Sequence, residues 1–307
     1  MKSSTLRASI ILCTSLPFAA CAGQQVQNDT VPAVAAPSHV RSWMRPEAVR
    51  SKILYVSYGY GNDVLAFQYP SGQALGVISG IPQAQGLCTS KKSHGNWWVV
   101  ATGANEVLEF AHGGTTPILT INTMSDLPAS CAVDPTTGNL AVTMASSPKV
   151  VVYKAGSIDG TAYVPPFYPF FSGYDPSGNL YVDGSAASNI YLARLRPGTS
   201  TFQPIFLNYV GVFFAGGIQW HKGLLAVGDQ ETAVVYQYKL RGKNGILRNT
   251  TALNGGQAGG FWIQGNRIIA GDGADVGIWD YPAGGSPVQT IPGGFYGPVN
   301  AAVSLPK

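Results

Sequence analysis

Read only for apolar and polar positions, the chain repeats one short pattern: about five mostly apolar residues running into a turn that carries glycine or aspartate. The clearest copies are Ile53-Leu54-Tyr55-Val56-Ser57, Trp97-Trp98-Val99-Val100-Ala101 and Asn139-Leu140-Ala141-Val142-Thr143, followed by Asn179-Leu180-Tyr181-Val182-Asp183, Leu224-Leu225-Ala226-Val227-Gly228 and Arg267-Ile268-Ile269-Ala270-Gly271. Runs this short, bounded by turn residues and rich in β-branched and aromatic side chains, predict strands buried on both faces. Their last residues, 57, 101, 143, 183, 228 and 271, lie 40–45 positions apart. A period of about 40–45 residues with several strands per unit is the signature of a β-propeller blade.

The turns repeat with the strands. Asp134-Pro135-Thr136-Thr137-Gly138-Asn139 and Asp175-Pro176-Ser177-Gly178-Asn179 are nearly one phrase. Aspartate opens such a turn through its side chain, proline presets φ and glycine accepts positive φ, so each phrase predicts a hairpin. Gly61-Asn62-Asp63-Val64 and Ala104-Asn105-Glu106-Val107 predict the next turn of the unit. Weaker fourth strands follow at Ile118–Ile121 and Val288–Ile291. The first unit enters at its second strand, and Gly297-Pro298-Val299-Asn300-Ala301-Ala302-Val303-Ser304 reads like an inner strand. The expected fold is therefore all-β: a six-bladed propeller over residues 42–307, with a C-terminal strand closing the first blade and removing its free edges.

The hairpin phrase, the Leu-Tyr-Val strand and the Asn-x-Val-x-x-Phe third strand resemble NHL-type propeller repeats. With Ser42-Trp43-Met44 and Tyr69-Pro70-Ser71-Gly72, nearly the whole mature chain resembles uncharacterised bacterial lipoproteins of that fold. A propeller hosts enzymes and binding modules alike, so the resemblance implies a scaffold and leaves the activity open.

Composition agrees with stacked strands. Only 11% of the 307 residues are charged, 45% are hydrophobic, and there are 38 glycines and 21 prolines. Plentiful Val, Tyr, Phe and Trp with a net charge of +4 exclude a disordered chain. The basic residues are scattered, which excludes the clustered stripe that nucleic acid requires. No apolar run reaches the length of a spanning helix.

The first residues carry an address. Lys2 and Arg7 precede an apolar stretch from Ala8 to Ala20, the form of a signal peptide over residues 1–20. Phe18-Ala19-Ala20-Cys21 resembles the lipobox of bacterial lipoproteins, which implies cleavage before Cys21 and lipid on its sulfur. Residues 21–41, rich in Gln, Ala and Pro, read as a flexible tether. Losing Lys2 and Arg7 lowers the charge from +4 to +2. The expected location is the envelope, at the outer membrane or cell surface, with membrane contact through the lipid alone and a monomeric mature chain.

Candidate chemistry is sparse. The histidines are His39, His94, His112 and His221, with no metal-binding spacing; His94 and His112 read as exposed turn residues and His221 as part of a hairpin turn. No Gly-x-Ser-x-Gly elbow occurs. Asp183, Asp229 and Asp272 recur after the second strand, with Glu231 and Asp275 nearby. They are candidates for a Ca²⁺ or other divalent-cation site, as in gluconolactonase-type propellers, or for turn caps. Streptogramin-lyase-type propellers are another enzyme precedent. Cys88 and Cys131 fall on neighbouring inner strands, and matching their turns sets Cys88 level with Ala132. That register predicts thiols on opposite faces, hence buried and free. Aromatic stretches Tyr163–Phe171 and Phe202–Phe214 predict either packing between blades or an exposed platform. The leading expectation is a non-enzymatic scaffold without cofactor, binding a protein, peptide or glycan at a rim near Gln85, Ser130, Phe170, Phe171, Gly216 and Asn300. The rival is a metal-dependent hydrolase or lyase using the three aspartates.

Overall fold

The computed structural model describes residues 41–89, 92, 95–186, 189–209, 214–293 and 300–307. Cys21, the tether up to residue 40, His39, His94, Phe213 and residues 297–299 lie outside them. The described chain is all-β, with helix limited to short 3₁₀ turns such as Pro46–Arg50.

Strands β1 (Trp43–Met44), β2 (Ile53–Tyr58), β3 (Asp63–Gln68) and β4 (Ala74–Ser79) begin the first sheet. The second comprises β5 (Ala84–Thr89), β6 (Trp97–Ala101), β7 (Glu106–Phe110) and β8 (Pro117–Asn122). The third holds β9 (Pro128–Val133), β10 (Leu140–Met144), β11 (Lys149–Tyr153) and β12 (Gly160–Tyr163). Two further meanders follow: β13 (Ser172–Tyr174), β14 (Leu180–Ala186), β15 (Asn189–Leu195) and β16 (Gln203–Leu207), then β17 (Ala215–His221), β18 (Leu224–Asp229), β19 (Val234–Arg241) and β20 (Asn244–Ala252). The last sheet has β21 (Phe261–Gln264), β22 (Arg267–Asp272), β23 (Asp275–Asp280) and β24 (Gln289–Ile291). Finally β25 (Asn300–Ser304) returns to the first sheet, antiparallel to β2, with Ser57 opposite Asn300 and Ile53 opposite Ser304.

Where the repeat predicts six separate sheets, the described strands form five. The two middle meanders share one eight-stranded sheet, because the long β20 runs parallel to β16 through Phe206–Asn244 and Leu207–Gly245. The Phe206 N–H donates to Lys243 O at 2.8 Å and the Asn208 N–H to Gly245 O at 3.0 Å.

Alternation along the second strands explains their continuous apolarity. Ile53 and Tyr55 face the second sheet, with Leu87, Trp97 and Val99. Their neighbours Leu54 and Val56 face the last sheet, with Ile269, Val276 and Ile278. Trp97 lies between Tyr55 and Phe110, ring centroids 4.0 and 4.7 Å away. Even the two halves of the eight-stranded sheet pack face to face, Tyr181 and Leu192 against Ile218, Leu225 and Val227. Burial on both faces is what removes charge from these strands.

The cysteines correct the sequence reading. Cys88 and Cys131 form a disulfide, Cα atoms 5.7 Å apart. Cys88 stands opposite Trp98 and Cys131 opposite Val142, and all four side chains enter one cluster. Neighbouring sheets meet through opposite faces, so thiols pointing to opposite sides of equivalent strands point at each other. The inferred register stands and the conclusion drawn from it reverses.

Candidate functional site

The strands β5, β9, β13, β17, β21 and β25 converge on a central cavity of about 630 Å³. Glycine allows their close approach. A Cβ on Gly86 would lie 2.7 Å from Ser130 Cα, and one on Gly216 only 2.0 Å from Ala258 O.

The cavity walls are aromatic and aliphatic: Phe171, Tyr174, Trp220, Phe261 and Trp262, with Leu87 and Ile218. Trp220 is backed by Tyr181, centroids 5.9 Å apart. The amide oxygens lining the cavity are occupied. Gln219 Oε1 accepts from the Ile263 N–H at 2.6 Å while its Nε2 donates to Ile263 O at 2.9 Å, so this side chain bridges β17 to β21. Gln264 Oε1 accepts from Trp262 Nε1 at 3.2 Å, and Asn300 Oδ1 from the Ala301 N–H at 2.8 Å. His221 also lines the cavity, its ring edge-on to Tyr281 at 5.4 Å. Burial, reinforced by Lys222, holds its pKa below the ordinary value against the opposing contact with the Gly265 backbone. Lys92 is the only charged side chain among the described lining residues, none of which is a carboxylate.

Of the expected rim, Ser130, Phe171 and Asn300 line this cavity. Gln85 offers its carbonyl to Ser57 Oγ at 2.6 Å, Phe170 stacks on Phe214 at 5.8 Å, and Gly216 is enclosed by Ala258. The aromatic stretches divide: Phe170 and Phe171 pack on the core, whereas Tyr168, Phe206, Tyr209 and Phe214 are exposed. Trp220, Trp262, Gln264 and Lys92 are not among the expected site residues, and His221 is expected only as part of a hairpin turn. For all but Lys92 the signal is an aromatic–polar alternation just before the hairpin turns, in Gln219-Trp220-His221 and Trp262-Ile263-Gln264.

Asp229 and Asp272 end their second strands, Asp183 lies within β14, and all three are outside the lining. Asp229 Oδ1 accepts from the N–H groups of Phe214 (3.1 Å) and Glu231 (3.2 Å), and Oδ2 from Thr232 Oγ1 (2.7 Å). Asp183 is fully buried; its Oδ1 accepts from the Phe171 N–H at 2.9 Å, and Oδ2 has no partner among the described residues. Burial raises its carboxyl well above the usual carboxylate range, more than the Phe171 and Asp183 backbone contacts lower it. Asp272 is half-buried opposite Asp275. Hydroxyls serve at this strand end in earlier units: Ser57 donates to Gln85 O, Thr102 to Pro128 O (2.7 Å) and Thr143 to Phe170 O (2.8 Å). Each ties one unit to the start of the next unit's inner strand.

His112 is no exposed turn residue. Its Nε2 lies 2.9 Å from Ser51 O and its Nδ1 2.6 Å from Ser304 Oγ, so it joins the end of β7 to the closing strand.

No family model and no curated protein matches the sequence. Among solved structures, the chain is similar to one in a crystal structure of a nidogen/laminin complex, at 13% identity and a TM-score of 0.68, covering 83% of this chain and 98% of that one. It is also similar to streptogramin B lyase, at 14% identity and a TM-score of 0.51, covering 73% of this chain and 69% of that one. These likenesses identify the fold as β-propeller-like.

Proposed function

We propose that this chain is an exported, lipid-anchored scaffold whose six-unit propeller binds a protein, peptide or glycan through its central cavity, without catalysing a reaction. The observation carrying this reading is the cavity itself: aromatic walls, amide oxygens already engaged, and no carboxylate among its described lining residues. Such a site holds a ligand by stacking and shape. Six inner strands around one cavity support the count of six, with the eight-stranded sheet taken as two units joined at their outer strands. The nidogen/laminin neighbour is a propeller-like chain in a protein complex, which fits a partner-binding role. The Cys88–Cys131 disulfide suits an exported protein.

Binding to glycan and peptide arrays, wild type against Trp262→Ala, tests the reading. Wild-type binding lost in the variant is expected; no binder on either array, or binders indifferent to Trp262, overturns it. A stoichiometric divalent ion in the purified protein, lost on Asp229→Asn, would favour the metal-dependent hydrolase or lyase instead. The anchor is tested by palmitate labelling of the full chain, which Cys21→Ser must abolish.

A further inference from the structure

The side-chain amides of Gln264 and Asn300 at the cavity are one-sided. The amide oxygens of Gln264 and Asn300 are engaged, whereas their amide N–H₂ groups have no partner among the described residues. Lys92 lines the cavity and forms no ion pair among those residues. The nearest acids by sequence, Asp134 and Asp175, precede the lining prolines Pro135 and Pro176, but their oxygens turn inward. Asp134 accepts from Thr136 and Thr137; Asp175 accepts from Ser177, Asn179 and Tyr181. The described cavity therefore pairs flat apolar walls with spare amide donors and a single cation, and its described lining holds no carboxylate to balance that cation.

We infer that the group entering this cavity is a flat, apolar organic anion, its body against Trp220 and Trp262 and its acid at Lys92. The inference rests on the cavity being the binding site. A cation would meet Lys92 with no described lining carboxylate to receive it. A neutral hydrocarbon of the same shape would cover the amide donors without offering them acceptors and would gain nothing from Lys92 at the exposed end, whereas an anion supplies both.

Two fluorescent probes that differ by one sulfonate separate these cases: 8-anilinonaphthalene-1-sulfonate and neutral N-phenyl-1-naphthylamine. Wild-type protein is expected to bind the sulfonate at one site and at least tenfold more tightly than the neutral probe. Lys92→Met brings the two within threefold, and Trp262→Ala weakens both. Added salt should weaken the sulfonate selectively, because the Lys92 end is exposed. Equal affinities in wild type, or a preference untouched by Lys92→Met, overturn the anion inference and leave the cavity reading standing. Failure of both probes to bind, or binding indifferent to Trp262→Ala, overturns both.

Discussion

Cys88 and Cys131 join the inner strands of two neighbouring sheets, 43 residues apart along the chain and 5.7 Å apart at Cα. Closing a loop of that length lowers the entropy of the unfolded chain by an amount worth about 4 kcal/mol. The double variant Cys88→Ala/Cys131→Ala should lose stability of that order in urea unfolding. Reductant should shift the wild type toward the variant and leave the variant unchanged.

Thr143 accepts from the Ser130 N–H at 3.1 Å and donates to Phe170 O at 2.8 Å. Thr143→Val keeps the shape and strands both backbone groups inside the protein, at a cost of about 1–3 kcal/mol. Thr143→Ser retains the hydroxyl and should unfold close to wild type. Equal urea midpoints for the two variants would remove the link between units from the account.

Gly216 is a steric requirement. Its added Cβ would meet Ala258 O at 2.0 Å and Gly228 C at 2.9 Å, both backbone atoms that cannot rotate away. Gly216→Ala should cost about 3 kcal/mol or more, read as a fall in thermal midpoint.

The Asp183 carboxyl has a folded pKa raised by burial. A raised acid holds its proton in the folded state after the unfolded chain has released it. Its contribution to stability is therefore complete below the ordinary aspartate value of about 4 and is lost as pH rises toward the raised value. Asp183→Asn should flatten the decline in thermal midpoint between wild type at pH 4 and at pH 8. Parallel pH profiles would show that Asp183 ionises normally.

Much of the fold is written in local pattern. The phrase Asp134-Pro135-Thr136-Thr137-Gly138 announces its hairpin, and the aspartate accepts from Thr136 and Thr137 as such turns require. Asn62 and Asn105 take left-handed φ values of 57° and 55° at the predicted turns. What escapes the sequence depends on how sheets face one another. The disulfide follows from opposite faces meeting, and the β16–β20 junction from the extra length of β20, which no turn residue advertises. The site was harder still. Trp220 and Trp262 share a cavity only because their strands converge, whereas in the sequence each is an ordinary aromatic ahead of a turn.

The pairing of β25 with β2 has a consequence for folding. Ile53 and Asn300 are separated by nearly the whole domain, so β2 has no partner on this side until the far end of the domain reaches it. Throughout that interval the side of β2 that β25 will cover presents unpaired N–H and C=O groups, a template for any other extended chain. A chain cut short before Asn300 would be nearly complete and still carry this sticky edge. Whatever shields unfolded chains should therefore matter most for this protein until β25 has docked on β2.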